Sequence, residues 1–388
     1  LKFRASYGAL GNQNVGTYAY LPTMSSGQIG QILDGSQPVA VYAPGVVSNT
    51  LTWEKVRTIN GGIDLALLNN RLSASFDYYV RYTEGMLTKS KTLPSVFGAS
   101  EPKTNAADLK TKGWELSLRW RDQFMLADSP FNYSIKVALA DSRAFITKYD
   151  NPNKRLGDYY EGQEIGEMWG LTTEGFFQTE EEIKNHADQS AVGEDDQSYK
   201  FYVGDLKFAD VNGDGKITPD DRTKIGDPTP DVTYGISLGL SYKNWELSME
   251  MMGQGGNQIY RTWDNYNWAQ FNYMEQRLDR WHGEGTSNTQ PVLNTGHAIN
   301  FENSEYYVED GSFFRIRNLQ LGYTFDKALI SKIGLKALKA YFNIQNLKTW
   351  KHNTGYTPEF GGSAIAFGVD NGSYPVPAIY TFGLNITF

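Results

Sequence analysis

The sequence predicts an all-β protein, a transmembrane antiparallel β-barrel with long extracellular loops. Segments of period-two alternation recur along the chain, and the connections between them alternate between long and short. No apolar run approaches the ~18 to 20 residues that a membrane-spanning helix needs. Aromatic residues make up 14% of a chain that is only 40% hydrophobic. This composition is typical of a protein built from strands rather than around a large aliphatic core.

About ten segments alternate apolar residues with small or polar ones. The last is the clearest, because Thr381, Gly383, Asn385 and Thr387 separate five apolar residues between Tyr380 and Phe388. The segments are suited in length to tilted membrane strands of ~9 to 11 residues. Their approximate ranges are 1–10, 57–68, 71–83, 111–121, 131–142, 232–242, 244–255, 313–325, 335–346 and 377–388.

The lengths of the connections separate a barrel from a soluble sandwich, which could show the same alternation. Long connections contain residues 11–56, 143–231 and 256–312, whereas Asn69-Asn70 and Lys243-Asn244 form tight hairpin turns. A membrane barrel sorts short turns to the periplasmic rim and long loops to the cell surface, and a sandwich has no reason to do so. We therefore expect a barrel, with Phe388 at the periplasmic rim.

The two faces of the predicted strands differ in chemistry. Aromatic residues near strand ends fit interfacial girdles: Tyr7, Tyr78, Trp114, Trp120, Tyr133, Tyr242, Trp245, Tyr323 and Phe388. The opposite face carries Lys2, Arg4, Asp77, Glu115, Arg119, Lys136, Glu246, Glu250 and Lys339. These charges require water or one another, so we expect a wet lumen or a polar plug against this wall. Ten strands enclose too narrow a space for both. The opening Leu1-Lys2-Phe3-Arg4 also lacks a leader, so we expect a fragment of a larger barrel.

Composition excludes several functions. With 36 basic and 44 acidic residues the formal net charge is -8, which disfavours nucleic acid as a partner. The absence of cysteine excludes disulfides, thiolate metal sites and cysteine nucleophiles, and it suits passage through an oxidising periplasm.

Residues 210–221 match an EF-hand-like cation loop within the long loop 143–231. Oxygen ligands fall at positions 1, 3 and 5, glycine at position 6 permits the turn, and a carboxylate closes at position 12. The predicted ligands are Asp210, Asn212, Asp214, the Lys216 carbonyl, Thr218 through water, and Asp221. Because position 12 is Asp rather than Glu, we expect modest affinity for Ca²⁺ and a structural rather than catalytic role. The alternative is a metal-free turn made by Asx and Gly residues. Thr218 followed by Pro219 also predicts the start of a short helix.

No motif supports catalysis. Ser237 lies in a G-x-S-x-G pattern, but it is embedded in unbroken strand alternation rather than a strand-to-helix turn. The four histidines lack metal-ligand spacing and fall in predicted loops. We therefore expect no enzymatic activity.

The loops are rich in aromatic residues beside amides. Flat aromatic rings stack on sugar rings or peptide side chains, so these residues are candidate substrate contacts. The alternative is that they pack loop against loop or against a partner protein. The candidates are Trp263, Tyr266, Trp268, Tyr273 and Trp281.

A succession of short motifs resembles the SusC/RagA-type TonB-dependent outer-membrane transporters. Single elements are weak, but together they span almost the whole chain in family order. They are Trp53-Glu54-Lys55, Gly62-Ile63-Asp64, Leu68-Asn69-Asn70-Arg71-Leu72, Asp77-Tyr78-Tyr79, Lys112-Gly113-Trp114-Glu115, Glu161-Gly162-Gln163, Met168-Trp169-Gly170, Gly175-Phe176-Phe177, Asp205-Leu206-Lys207-Phe208, Asp221-Arg222, Tyr307-Val308-Glu309-Asp310-Gly311-Ser312-Phe313, Arg315-Ile316-Arg317-Asn318-Leu319, Gln345-Asn346-Leu347, Gly355-Tyr356, Pro358-Glu359 and Phe382-Gly383-Leu384-Asn385.

The resemblance implies the C-terminal part of a 22-stranded barrel in the outer membrane of a Gram-negative bacterium, surrounded by outer-membrane lipid. It further implies an N-terminal plug upstream of Leu1, a SusD-like surface lipoprotein as partner, and energy from TonB-ExbB-ExbD. The expected function is import of large nutrients such as oligosaccharides or peptides. Two other classes stay open: a secreted calcium-braced β-sheet adhesin or glycan-binding protein, and an outer-membrane hydrolase, for which no nucleophile and base pair is found.

Overall fold

The computed structural model describes residues 1–13, 20–48, 51–90, 93–94, 96, 101–192, 201–263, 273–293, 298–360, 362 and 367–388. Two α-helices lie in these residues, α1 (Glu180–Asn185) and α2 (Lys327–Ile330), with short 3-10 helices at Pro219–Asp221, Glu275–Asp279, Ala298–Phe301, Glu305–Tyr307 and Ser331–Ile333. No helix of the described ranges is both long enough and apolar enough to cross a membrane. The strands are β1 (Lys2–Asn12), β2 (Ser26–Gln28), β3 (Val39–Val41), β4 (Glu54–Leu67), β5 (Leu72–Lys89), β6 (Lys103–Leu126), β7 (Ser129–Lys148), β8 (Met168–Leu171), β9 (Thr173–Phe176), β10 (Leu206–Phe208), β11 (Arg222–Gly226), β12 (Val232–Tyr242), β13 (Trp245–Gly255), β14 (Gln258–Arg261), β15 (Val308–Asp310), β16 (Phe313–Thr324), β17 (Ala337–Lys351), β18 (Val369–Asp370) and β19 (Ile379–Thr387).

Ten of these strands form one sheet, in the order β1-β4-β5-β6-β7-β12-β13-β16-β17-β19. They are the ten predicted segments, each beside its neighbour along the chain, so the prediction of a large antiparallel sheet is confirmed. We call them the wall strands. The pairing of β12 with β13 runs without a break from Val232 opposite Gly255 to Tyr242 opposite Trp245.

Several wall strands are longer than the sequence predicts. β6 covers Lys103–Leu126 instead of 111–121, and β5 continues to Lys89, so the connection between them shrinks to residues 90–102. The ends were missed because residues 103–112 are mostly polar on both faces and show no apolar period. The sequence predicts that β17 ends at 346, whereas the strand continues to Lys351. Asn346 adopts a φ of 53° at this point and shifts the alternation.

Four short connections define what we call the short-turn rim: residues 68–71, 127–128, 243–244 and 325–336. Leu68, Asn69 and Asn70 all have positive φ, as do Ala127 and Asp128. Such left-handed turns match the twist of the flanking strands and hold hairpins tightly. The predicted turns at Asn69-Asn70 and Lys243-Asn244 are both present.

The outward face of the wall is an apolar band bounded by aromatic side chains. At the short-turn rim the ring centroids of Trp245 and Tyr323 lie 4.7 Å apart. At the other end the rings of Tyr234 and Phe314 stack at 6.4 Å. Along β12, Tyr234 and Tyr242 are eight residues apart, or about 26 Å at the usual rise of a strand. At the ~35 to 45° tilt of barrel strands this length spans about 20 Å along the membrane normal, somewhat less than the ~25 Å apolar band of outer-membrane barrels.

The chain divides into two compact units. The first comprises Leu1–Leu67, Ser73–Leu116 and Ser142–Ile165, and the second comprises Leu68–Leu72, Ser117–Asp141 and Gly166–Phe388. The second contains a core formed by the long connection after β7. Two small antiparallel sheets, β9 with β10 and β8 with β11, build that connection. Its buried core consists of Leu171, Phe176, Val192, Leu206, Phe208, Ile217 and Ile299.

Candidate functional site

Charges on the inner face of the first unit pair with one another. The Arg4 guanidinium contacts the Asp64 carboxylate at 2.9 Å and the Asp77 carboxylate at 2.6 Å. The Ser75 hydroxyl donates a hydrogen bond to the Asp64 carboxylate, and the Asn60 amide donates one to the Asp77 carboxylate. These bonds occupy further acceptor positions of the two carboxylates. Arg4, Asp64 and Asp77 therefore satisfy one another, as expected for ions at a partly hydrated surface.

The second unit carries a polar inner face with a cavity of about 610 Å³ beside the short-turn rim. An ion pair between Arg71 and Asp122 at 3.1 Å lies at its edge, and Lys339 pairs with Glu246 across the sheet. The cavity lining combines hydroxyl, amide and charged side chains with apolar atoms, including those of Leu240 and Leu247. Its residues are Arg71, Arg121, Asp122, Gln123, Asn132, Tyr133, Ser134, Gly239, Leu240, Ser241, Glu246, Leu247, Ser248 and Gln320.

The predicted cation loop is a tight turn held by its own backbone. The two Asp210 carboxylate oxygens accept hydrogen bonds from the Gly213 and Gly215 N–H groups, at 2.7 and 2.8 Å. Asn212 Oδ1 accepts a hydrogen bond from the Asp214 N–H at 2.9 Å. Asp214 Oδ1 accepts one from the Lys216 N–H at 2.8 Å. Gly213 and Gly215 both have positive φ, which only glycine adopts at little cost.

Asp221 is fully buried and fastens the two ends of the turn. One carboxylate oxygen accepts from the Val211 and Asn212 N–H groups at 3.0 and 3.3 Å. The other accepts from the Thr218 N–H at 2.8 Å. Thr218 also caps the 3-10 helix Pro219–Asp221, so the predicted helix start is confirmed.

The donor set fits a hard cation without requiring one. Each oxygen of Asp210, Asn212 and Asp214 that accepts one N–H retains a lone pair, and carboxylate and amide oxygens are the ligands Ca²⁺ prefers. In the ranges that the structure describes, no group of three or more His, Asp or Glu side chains is arranged to hold a metal ion. Calcium binding by the six predicted residues therefore stays a prediction beside the metal-free turn.

Asp188 is a residue of this region that the sequence pattern did not reveal. Its backbone N–H donates to the Gly215 carbonyl at 2.9 Å, and its carbonyl accepts from the Ile217 N–H at 2.8 Å. The Ser190 hydroxyl and backbone N–H bond to the Asp188 carboxylate and hold its pKa below the ordinary value of 3.8. The Asp-x-Ser spacing is an Asx-turn signal, but the pairing with a segment some 27 residues later could not be read from it.

The aromatic candidates fall into three groups. Trp281 is 9% exposed, its Nε1 donates to Gln178 Oε1 at 3.0 Å, and its ring packs against Gly204. Trp263 is partly buried beneath the Arg261 guanidinium, 5.9 Å from its ring. Trp281 thus packs within a loop and Trp263 is only partly buried, and substrate contact by either residue stays a prediction. Tyr273 is 44% exposed and keeps a free face.

Tyr266 and Trp268 lie outside the described residues.

The motif Tyr307-Val308-Glu309-Asp310-Gly311-Ser312-Phe313 forms a structural clamp between loops. Glu309 pairs with the buried Arg261 at 2.6 Å and accepts from the Thr354 hydroxyl. Arg261 also lies over the rings of Tyr306 and Tyr307, at 5.5 and 5.6 Å. In the sequence the motif is recognised only by its resemblance to the family. Its contacts could not be predicted, because the two partners of Glu309 lie 45 and 48 residues away.

Known proteins share this architecture. The solved structure of the RagAB peptide transporter superposes with a TM-score of 0.75 at 23% identity, over all of this chain and 40% of that chain. The RagAB peptide importer in its open-open state gives a TM-score of 0.74 at 24% identity, over 99% of this chain and 40% of that one. At this level of identity the likeness concerns the fold.

Curated relatives cover the chain from end to end. The TonB-dependent receptors P3 and P26 of Formosa agariphila are each 30% identical, over the whole chain and 39% and 40% of their own lengths. The TonB-dependent receptor SusC of Bacteroides thetaiotaomicron is 24% identical, over the whole chain and 37% of its own length. This chain thus spans about two fifths of the length of its relatives.

An outward apolar band, aromatic rows at both its edges and a charged inner face define a wall of an outer-membrane β-barrel. The family described as TonB dependent receptor-like, beta-barrel, matches residues 1–347, and the chain belongs to that family. The resemblance to SusC/RagA-type proteins and the location in the outer membrane are confirmed by these relatives.

Proposed function

We propose that this chain forms part of the wall of an active importer that carries large nutrients, oligosaccharides or peptides, across the outer membrane. The observation that supports the proposal best is the two-faced wall. Its outward side is an apolar band bounded by aromatic side chains, while its inner side presents ion pairs and a cavity of about 610 Å³. A polar inner face allows a hydrophilic substrate to pass without losing its hydrogen bonds to water.

The names of the relatives support a proposal for the energy source and the partner. Their names identify TonB-dependent receptors, and RagAB is named a peptide transporter. We accordingly assign energisation to TonB-ExbB-ExbD, and capture of substrate to a SusD-like surface lipoprotein above the long connections. In this arrangement the short-turn rim faces the periplasm, and the connections 149–231 and 256–312 lie at the cell surface.

Within those loops, Tyr273, Tyr266 and Trp268 are the proposed substrate contacts, whereas Trp263 and Trp281 support the loop from inside. The import step involves no bond chemistry. A secreted adhesin, one of the two other classes considered, does not agree with membership of an outer-membrane receptor family.

The test is uptake by intact cells that carry the full-length transporter. Cells with the gene deleted and cells with it restored are given fluorescently labelled oligosaccharide or peptide mixtures, with and without a protonophore. We expect uptake of one mixture only in the restored strain, and its loss when the protonophore collapses the proton gradient. A surface lipoprotein should co-purify with the transporter.

A single substitution tests the substrate contacts. Tyr273→Ala should reduce uptake, while Tyr202→Ala serves as a matched control because Tyr202 is also 44% exposed and lies in another loop. Equal uptake by wild type and both variants would remove Tyr273 from the substrate path. Protonophore-resistant uptake in the restored strain would overturn active import.

A further inference from the structure

The connection between β16 and β17 differs from the other turns of the short-turn rim. We call it the rim helix segment, residues 326–336. It contains α2 and the 3-10 helix Ser331–Ile333, and its helical part ends at Gly334, whose φ is 79°. Two residues suffice for the hairpin turns at 127–128 and 243–244, so closing a hairpin does not require a helical segment of this length.

The rim helix segment is amphipathic. Leu329, Ile330 and Ile333 lie on one side, since residues three and four apart share a helix face. Ile330 is 3% exposed and packs against the protein, whereas Leu329 is 59% exposed and Ile333 is 70% exposed. The apolar side therefore continues outward beyond the contact with the protein.

The same segment is basic. Lys327, Lys332 and Lys336 are all exposed. Asp326 is its one acidic residue, and that carboxylate accepts a hydrogen bond from Asn244 Nδ2 at 2.8 Å. An exposed surface that combines two large apolar side chains with three lysines matches the chemistry of an anionic lipid interface.

Hydrogen bonds to the wall fix the segment in place. The Phe325 N–H donates to the Leu338 carbonyl at 3.0 Å, and the Lys336 N–H donates to the Thr387 carbonyl at 2.8 Å. Phe325 also meets Tyr323 edge to face, with centroids 5.0 Å apart. The segment is thus continuous with the aromatic row that marks the edge of the membrane-facing band.

We propose that the rim helix segment is a lipid-binding anchor that lies in the bilayer interface at the short-turn rim. Leu329 and Ile333 insert at the boundary of headgroups and acyl chains, and Lys327, Lys332 and Lys336 bind phosphates of anionic phospholipids. In the orientation proposed above, this is the periplasmic leaflet. The anchor depends on the outer-membrane location of the wall and not on transport of any substrate.

The absence of cysteine from this chain makes a direct test practical. Leu329→Cys and Ile333→Cys would be placed singly in the full-length transporter, with any cysteine elsewhere in it replaced, and labelled with an environment-sensitive fluorophore. The labelled protein is reconstituted in phosphatidylethanolamine and phosphatidylglycerol vesicles. Matched controls are Ser331→Cys, on the polar side of the segment, and Val211→Cys, which is 53% exposed in the cation loop.

We expect blue-shifted emission at positions 329 and 333 and strong loss of fluorescence with doxyl-labelled lipid. Labels at 331 and 211 should instead be quenched by aqueous iodide. Iodide quenching at 329 and 333 equal to that at 331 would overturn insertion. Protection of 329 and 333 in native membranes, but not in lipid vesicles, would also overturn it and assign the surface to a periplasmic protein.

A second arm tests the lysines. The triple variant Lys327→Gln, Lys332→Gln and Lys336→Gln should weaken doxyl quenching at position 329 in phosphatidylglycerol vesicles and leave it unchanged in phosphatidylcholine vesicles. An equal effect in both lipids, or no effect in either, would refute the phosphate contacts. Because the readout is depth in the bilayer, failure here is distinct from failure of nutrient import.

Discussion

Replacing Asp221 with alanine should open the 210–221 turn. The side chain is fully buried, and its two oxygens accept three backbone N–H groups, from Val211, Asn212 and Thr218. Among the residues that the structure describes, no other side chain accepts a hydrogen bond from these three donors. The substitution therefore removes a charged acceptor and leaves the three N–H groups without a protein partner.

The expected magnitude follows from those contacts. A hydrogen bond to a charged group contributes roughly 1.5 to 3 kcal/mol, and an unsatisfied buried donor costs about 1 to 3 kcal/mol. Val211 and Asn212 are exposed residues, so water can reach their N–H groups once the turn opens. We expect a loss of about 3 to 5 kcal/mol in the local stability of the turn, since the three contributions are not additive.

Amide hydrogen exchange reports this change directly at residues 211, 212 and 218. Asp221→Ala should remove their protection, while the wall strands stay protected because their pairing does not involve the turn. Asp221→Asn, which retains an uncharged acceptor, should fall between the two. Unchanged protection at all three amides in Asp221→Ala would refute the reasoning.

Comparison with Asp214→Ala separates the calcium-bound turn from the metal-free one. Asp214 is exposed and accepts at 2.8 Å from a single backbone N–H, so without Ca²⁺ its removal should cost about 1 kcal/mol. If Ca²⁺ binds, adding it should increase protection of the turn in the wild type, and that increase should disappear in Asp214→Ala. Protection that is insensitive to both Ca²⁺ and chelator in the wild type would establish the metal-free turn.

Three further perturbations address the wall and the loop core. A side chain at Gly383 would occupy the place of the Tyr341 ring on the adjacent strand. Gly383→Ala should therefore destabilise the folded barrel by about 1 to 3 kcal/mol, measured by heat-modifiable gel mobility in urea. Adding Tyr341→Ala should restore the stability. Arg4→Leu leaves two facing carboxylates without their cation and should lower the urea midpoint more than Arg4→Lys; equal midpoints would contradict the pairing. The pKa of Asp188 is lowered by its bonds from Ser190, so its stabilisation is complete above the ordinary value of 3.8 and is lost as pH falls through the lower folded value. Loop proteolysis by an acid-active protease should rise as the pH falls from the ordinary value of 3.8 through the lower folded value, and less so in Asp188→Asn.

The wall could be predicted from the sequence because the bilayer imposes a simple rule. Every lipid-facing position must be apolar and the opposite positions are polar, so ten strands appear as ten alternating segments. The rule ends where the strands leave the membrane. β5 and β6 extend past the predicted ends at 83 and 111, and their backbone pairing continues although the apolar alternation stops there: Met86 and Leu87 are adjacent, and residues 103–112 show no apolar period.

The turn chemistry was also readable, because it is local. The calcium-loop pattern correctly located a tight turn, and Thr218 and Pro219 correctly located a helix start. In both cases the hydrogen bonds join residues within about ten positions of one another, so the residue types alone specify the partners.

The loop interior could not be predicted, since its contacts join distant parts of the chain. Trp281 was a candidate substrate contact by residue type, yet it is held by Gln178, 103 positions earlier, and by the flat surface of Gly204. Arg261 and Glu309 form an ion pair although they lie 48 positions apart in the sequence. The residues adjacent to each of them do not predict this contact.

An exposed and a buried aromatic side chain therefore look alike in sequence, and only burial distinguishes a binding residue from a supporting one. A buried ring that already donates its N–H and packs on both sides has no surface to offer a sugar or a peptide. Tyr273, with an open face, retains that surface. The same reasoning identifies the rim helix segment: Leu329, Ile330 and Ile333 are alike in sequence, but only the two that the protein leaves exposed can reach lipid.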